Sequence, residues 1–275
     1  MRQGLKYTLA VALFFLTPGA AFAFVVDSQD KPEDAGDFVV VLDPGHGGPD
    51  AGAVGPGGTL EKDLVLSVAK KAGETLQKTP GIKVLFTRTD DTFVTLAGRT
   101  VFANDNKADV FVSIHANAAK RKAAVGVETF FLSLDATDDE ARLTAAYENA
   151  GVSMSFKYGE DNDEVREILV DLENNVAHHL SAMLAETIQS KVFEAAGKEN
   201  RGVKQAPFVV LYGAAMPAVL VEIGFVSNKA EEKRLASVKE QERIAASITD
   251  GITAFKKTAG KKFQQAEATD GAKKN

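Results

Sequence analysis

The sequence predicts an α/β fold with a layered, mostly parallel sheet. Short apolar runs rich in β-branched residues alternate with longer segments whose apolar residues recur at helical spacing, the pattern of strands joined by helices. The runs Val39–Leu42, Val110–Val112 and Ala218–Val221 are continuously apolar, as strands buried on both faces require. A chain of 275 residues, 45% hydrophobic and 25% charged, can bury a sizeable core in one or two domains. The net charge of −6 and pI near 5.4 argue against non-specific nucleic-acid binding. With no cysteine, disulfides, thiolate metal sites, thiol nucleophiles and a lipoprotein anchor are excluded. Imidazole chemistry must come from His46, His115, His178 or His179.

Residues 1–23 read as a secretory leader: Arg2 and Lys6, the apolar run Leu9–Leu16, then Ala21-Phe22-Ala23 as a small-x-small cleavage site. The run is too short for stable membrane insertion. Arg2 and Lys6 form no twin-arginine pair, so general secretion with cleavage after Ala23 is expected. Residues 24–36 are a polar linker, too short for a further targeting domain. Residues 37–257 form the folded domain. Its first strand, Phe38–Leu42, ends at Asp43-Pro44-Gly45-His46-Gly47-Gly48, where glycines present His46 on a loop. A helix follows over Leu60–Lys78 with Thr59 as N-cap and Leu64, Val68, Ala72 and Leu76 on one stripe. Ile82–Thr87 is a second strand, and Thr95–Asn104 suits a helix. A third strand, Asp109–Ile114, delivers His115-Ala116-Asn117.

Gly126–Leu132 alternates as a further strand. Residues 134–163 are an acidic insertion, helical over Asp138–Ala150 and loop-like over Gly159–Asp163. A long helix spans Glu164–Ala195, its apolar stripe including Val176, Leu180, Leu184 and Ile188. His178 and His179 lie off that stripe or at its margin and read as surface residues. Arg201–Tyr212 contains the apolar run Phe208–Leu211. The last strand, Pro217–Val221, runs into Glu222, a charge that is costly after four apolar residues unless it is paired or employed. Ser227-Asn228 starts a short helix and Glu240–Phe255 forms a final amphipathic one. Residues 258–275 read as a tail.

In such a sheet the strand C-termini share one edge, where ligands bind. His46, His115 and Glu222 all stand at strand exits. Glu61 begins a helix beside the His46 loop, where the helix dipole alone would also favour it. Two imidazoles and a carboxylate with an open fourth position suit a catalytic zinc site. His46, Glu61 and His115 are the candidate ligands, and Glu222 the candidate general acid/base. The spacing is not the short helical kind, so placement carries this assignment.

The stretches Val41–Gly48, Glu61-Lys62-Asp63, Ser113–Asn117 and Val221–Asn228 together resemble the zinc-dependent N-acetylmuramoyl-L-alanine amidases of type 3, a cell-wall hydrolase family. The resemblance covers about Phe38 to Lys257. It implies a twisted sheet of about six strands flanked by helices, with a helical insertion near the active site. It also implies hydrolysis of the amide between N-acetylmuramic acid and L-alanine in peptidoglycan. His46, Glu61 and His115 would hold Zn2+ and Glu222 would be catalytic.

The insertion resembles that of Gram-negative cell-division amidases, in which an inserted helix covers the site and lends the metal a carboxylate until an activator protein displaces it. Glu148 is the candidate blocking carboxylate and Glu140 the runner-up; an ordinary acidic surface helix is the alternative. With the leader, this likeness implies a periplasmic location. Arg88 could contact a substrate carboxylate, although an ion pair with Asp90 or Asp91 explains it as well. Two other functions compete: a zinc carboxypeptidase acting on the stem peptide, and a non-catalytic wall-binding regulator.

Overall fold

The computed structural model describes residues 37–150, 176–196 and 199–273. The expected leader, its cleavage site, the linker, the loop Gly159–Asp163 and the start of the long helix lie outside the described residues. In chain order the elements are β1 (Phe38–Pro44), α1 (Glu61–Leu76), β2 (Ile82–Phe86), α2 (Leu96–Asp105), β3 (Val110–Asn117), β4 (Val127–Leu132) and α3 (Asp139–Glu148). There follow α4 (Val176–Ala196), β5 (Asn200–Ala206), a 3-10 turn (Val209–Leu211), β6 (Ala218–Phe225), α5 (Lys229–Leu235) and α6 (Val238–Lys273). No helix among the described residues is long and apolar enough to cross a membrane.

The six strands form one sheet in the order β2-β1-β3-β6-β4-β5. Pairs β1–β2, β1–β3, β3–β6 and β4–β5 are parallel, while β4–β6 is antiparallel. The ends of β1, β3 and β6 therefore share one edge with the beginnings of β4 and β5. Strand periodicity sorts the side chains onto two faces. Val40, Leu42, Val110, Val112, Ile114, Val219 and Val221 pack on one face with α1, α4 and α6. Val41, Phe111, Phe130 and Leu220 pack on the other with Ala141 and Ala145 of α3. By the same alternation Asp43, His115, Glu128 and Glu222 fall on the α3 face.

Several boundaries differ from those the sequence predicts. Thr59 does not cap α1. The cap position is Leu60 and makes no side-chain bond. Carbonyls of Ala53 and Ala51 accept the N–H groups of Glu61 and Lys62, so a hydroxyl is not needed there. β5 was not evident, because Asn-Arg-Gly-Val-Lys-Gln-Ala lacks apolar alternation, as an edge strand can. Phe208–Leu211, a strand-like run, contains the 3-10 turn instead. Val176 is exposed rather than on the α4 stripe, while Leu180, Leu184 and Ile188 are buried. The last helix runs to Lys273, beyond Phe255 and through most of the expected tail.

Helices α4 and α6 approach closely at Gly251. A Cβ there would stand 2.7 Å from Ile188 Cα and 2.9 Å from its Cγ1. Gly251→Ala is expected to destabilise the domain by about 1–3 kcal/mol through overpacking. The check is a lower urea midpoint at unchanged slope; an unchanged midpoint would contradict this packing.

Candidate metal centre

His46 sits just past β1 in the left-handed region, at φ 58°. That conformation costs an L-residue about 1–2 kcal/mol and has to be held by its surroundings. Two buried guanidinia hold it. Arg99 donates to Asp43 Oδ1 and the Pro44 carbonyl, both at 2.7 Å, and to the His46 carbonyl at 2.8 Å. Arg88 donates to the carbonyls of Pro44, Gly45, Asp90 and Lys62. Arg88 is thus a buried clamp on loop backbone, and its bond to Asp90 goes to the carbonyl rather than to the side chain, which replaces the expected ion pair. Burial alone would raise the Asp43 carboxyl; Arg99, Ser113 and Thr87 outweigh it and hold it below the usual range. Thr87 and Ser113 donate to its two oxygens at 2.5 and 2.6 Å.

Around that loop, four ligand-type side chains converge. One atom from each of His46, Glu61, His115 and Glu148 lies within 4.8 Å of the others. Glu61, the first residue of α1, is oriented by backbone donors: Ala116 N–H reaches Oε1 and Ala53 N–H reaches Oε2, each at 2.8 Å. Its Oε1 stands 3.2 Å from both His46 Nε2 and His115 Nδ1. Glu148, the last residue of α3, places Oε2 at 2.8 Å from His115 Nδ1 and 3.3 Å from His46 Nε2. The other ring nitrogen of His46, Nδ1, contacts Asp50 Oδ2 at 2.9 Å, the carboxylate support usual behind a metal-ligating imidazole.

The donor atoms fit a shared cation. His46 Nε2, His115 Nδ1 and Glu148 Oε2 are buried and close, yet none is aligned in a hydrogen bond. The four donor atoms converge within 4.8 Å of one another, and nitrogen with carboxylate oxygen is a zinc-type donor set. Burial would lower the His46 pKa, but Glu61, Asp50 and Glu148 reverse that and hold the ring protonated far above its ordinary value. His115 is likewise depressed by burial and raised, chiefly by Glu148, to about 9. Burial would raise Glu61; the two imidazoles hold it well below the carboxylate range.

Glu222 is fully buried and lies inside β6 rather than after it, in register with His115 of β3 and Glu128 of β4. Among the described residues neither of its carboxylate oxygens has a hydrogen-bond partner. Burial, then Glu148, Glu61 and Glu128, push its pKa well above the ordinary value. Glu140 is corrected: it is exposed in the first turn of α3, two turns before Glu148, and pairs with Arg201, away from the imidazoles. His178 is half-buried, with Nε2 3.0 Å from the Leu132 carbonyl, and His179 is exposed; neither joins the cluster. Asp50, Asn117 and Glu128 escaped the sequence reading. Glu128 sits in a strand that also carries Thr129, so its acid breaks the apolar pattern less sharply than Glu222 does.

This sheet, with a buried group of two imidazoles and two carboxylates at its edge, defines a hydrolytic α/β domain. The chain belongs to the N-acetylmuramoyl-L-alanine amidases of type 3, whose family profile matches residues 40–254. It is thus a hydrolase, an amidase acting on peptidoglycan. It is 36% identical over 234 residues to the N-acetylmuramoyl-L-alanine amidase AmiA of Escherichia coli K12, covering 83% of this chain and 81% of that one. It is 34% identical to E. coli AmiC (strain CFT073) over 82% of this chain, spanning about half, 54%, of that longer protein. Among solved structures, an amidase from Clostridium difficile 630 matches with TM-score 0.61 and 32% identity, over 80% of this chain and 97% of that one. The CwlD amidase from Clostridioides difficile, in complex with the GerS lipoprotein, matches with TM-score 0.60 and 26% identity, over 81% and 100%.

Gly45 lies against the His115 ring. A Cβ there would stand 2.5 Å from His115 Nε2 and 2.8 Å from Nδ1. Gly45→Ala should displace that imidazole and weaken divalent-metal binding by about 10–100-fold, the usual scale for disturbing a ligand's support. Metal titration with folding monitored in parallel checks this; equal affinity would show that Nδ1 is not a ligand.

Proposed function

We propose that this amidase is zinc-dependent, with His46, Glu61 and His115 holding the ion and Glu222 acting as general acid/base. The observation that carries the reading is the convergence of unpartnered, buried donor atoms on one point. Bound there, zinc would polarise the scissile carbonyl and lower the pKa of a water to about 7. The chain's own residues do the rest. Asp50 fixes the His46 ring and the Ala53 and Ala116 amides fix Glu61, so the ligand set is preorganised. Glu222 accepts a proton from the attacking water and returns it to the leaving nitrogen of L-alanine. Its burial among carboxylates favours the proton-carrying form that the second transfer needs. Family membership favours this reaction over stem-peptide carboxypeptidase activity and over a non-catalytic wall-binding role.

In this reading the chain is autoinhibited. Glu148 stands as a fourth donor where a catalytic zinc keeps an open position. An activator protein would lift α3 away. The CwlD–GerS complex supports this in one respect: a similar amidase assembles with another protein. The leader-like residues 1–23 support export to the periplasm, where peptidoglycan is reached.

Glu222→Gln should lower turnover on purified sacculi by about 10²–10⁴-fold while zinc content and sacculus binding stay at the wild-type level; retained turnover rejects Glu222 as the acid/base. Glu148→Ala should raise basal release of stem peptides bearing a free N-terminal L-alanine, identified by mass spectrometry. No increase would remove the inhibitory role, and fragments trimmed only at the stem's C-terminal end would reject the amidase assignment.

A further inference from the structure

Helix α3 makes one continuous row of polar contacts across the sheet edge. Glu140, Thr144 and Glu148 recur every four residues and so share a face. Glu148 meets the two imidazoles. Thr144 Oγ1 lies 3.4 Å from Asn117 Nδ2. Glu140 pairs with Arg201, and Asp138, the N-cap of α3, pairs with Lys204 at 3.0 Å. The partners are unequal. The Arg201 and Lys204 side chains are only 7% and 9% exposed, whereas Glu140 and Asp138 are 60% and 43% exposed.

The cations belong to the wall of the site and the acids to its cover. Arg201 is fixed from behind: Nε contacts Glu128 Oε2 at 3.2 Å and the guanidinium lies 5.0 Å over the Phe225 ring. Lys204 contacts the same Glu128 oxygen at 3.0 Å. Glu128 also takes Asn117 Nδ2 at 2.9 Å. Without α3, two buried cations would share one buried carboxylate, with the exposed Glu199 3.8 Å from Arg201 Nη1. Arg201 Nη2, which Glu140 now covers, would lose that partner.

We propose that Arg201, assisted by Lys204, is a subsite for a side-chain carboxylate of the stem peptide, and that Glu140 and Asp138 occupy it in imitation of substrate. This rests on α3 being the removable cover. A guanidinium fork is matched to carboxylate geometry, which a neutral amide does not satisfy. Spacing fixes the position along the peptide. Eight residues of helix separate Glu140 from Glu148, about 12 Å. If Glu148 stands where the scissile carbonyl goes, an extended chain rising about 3.3 Å per residue brings the side chain of the third stem residue to Arg201.

The test uses two soluble N-acetylmuramoyl-peptides that differ only in the third residue, whose side-chain carboxylate is free in one and amidated in the other. KM and kcat are measured for the wild-type chain, Arg201→Gln and Glu140→Gln, each with and without Glu148→Ala. The wild type should show a KM about tenfold lower for the acid. Arg201→Gln should erase that preference by raising KM for the acid alone, with kcat changed by no more than about twofold. Glu140→Gln should lower KM for the acid and leave the amide unchanged. Equal KM values in the wild type, which needs no mutation, or an equal rise for both substrates in Arg201→Gln, would overturn the proposal. The acid-to-amide ratio is taken within one variant, so it stands or falls separately from whether Glu148→Ala raises turnover.

Discussion

Two imidazoles and three carboxylates share one buried volume at the sheet edge, and they can do so only because positive charge sits among them. His46, His115, Glu61, Glu148 and Glu222 are each less than about a tenth exposed. Buried charge of one sign is expensive unless opposite charge or a proton compensates it. The neighbouring carboxylates favour the protonated form of both imidazoles, which answers part of that demand. Burial and neighbouring acids answer another part by disfavouring the charged form of Glu222. A divalent cation at the convergence point would serve all four donors at once and would take the place of the imidazole protons.

The rest of the domain keeps those groups in place. Parallel pairing sets β1, β3 and β6 side by side, so His46 and His115, 69 positions apart in the chain, meet with Glu222 beside them. The antiparallel entry of β4 adds Glu128 to the same edge from the opposite chain direction. Arg88 and Arg99 tie the backbone of the strained His46 loop to the interior, and Asp43 balances Arg99 there. Gly45 and Gly52 leave room for rings and carboxylates that any side chain would displace: a Cβ on Gly52 would stand 2.6 Å from His46 Cδ2 and 2.7 Å from Glu61 Oε2. Rigidity of this kind suits a site whose ligands must be ready before the substrate arrives.

Much of this was legible because the chemistry breaks local patterns. An acid ending an apolar strand, as at Glu222, or a histidine held among glycines, as at His46, is unfavourable without a task and so stands out. Glu128 was hidden by the milder alternation of its strand. Arg88 and Arg99 were opaque for another reason: the carbonyls they serve lie tens of residues away in sequence, and only the completed fold places them. β5 lacked the apolar period that marks a strand, since its position at the sheet edge leaves it partly exposed. The choice between Glu148 and Glu140 depended on which end of α3 meets the imidazoles, and Ala141 and Ala145 fix that by packing the helix inward. The start of α1 differs for a local reason: Thr59 has the chemistry of a cap, but carbonyls of the preceding loop already meet the helix amides.

The central claim is that His46, Glu61 and His115 grip one zinc ion. Zinc-edge X-ray absorption on the purified, zinc-loaded chain tests it most directly. The account predicts one ion per chain, surrounded by two imidazole nitrogens and carboxylate oxygen at about 2.0–2.2 Å, with one imidazole lost from the spectrum in His115→Ala. A spectrum of hydrated zinc without imidazole, or one unchanged by His115→Ala, would contradict it.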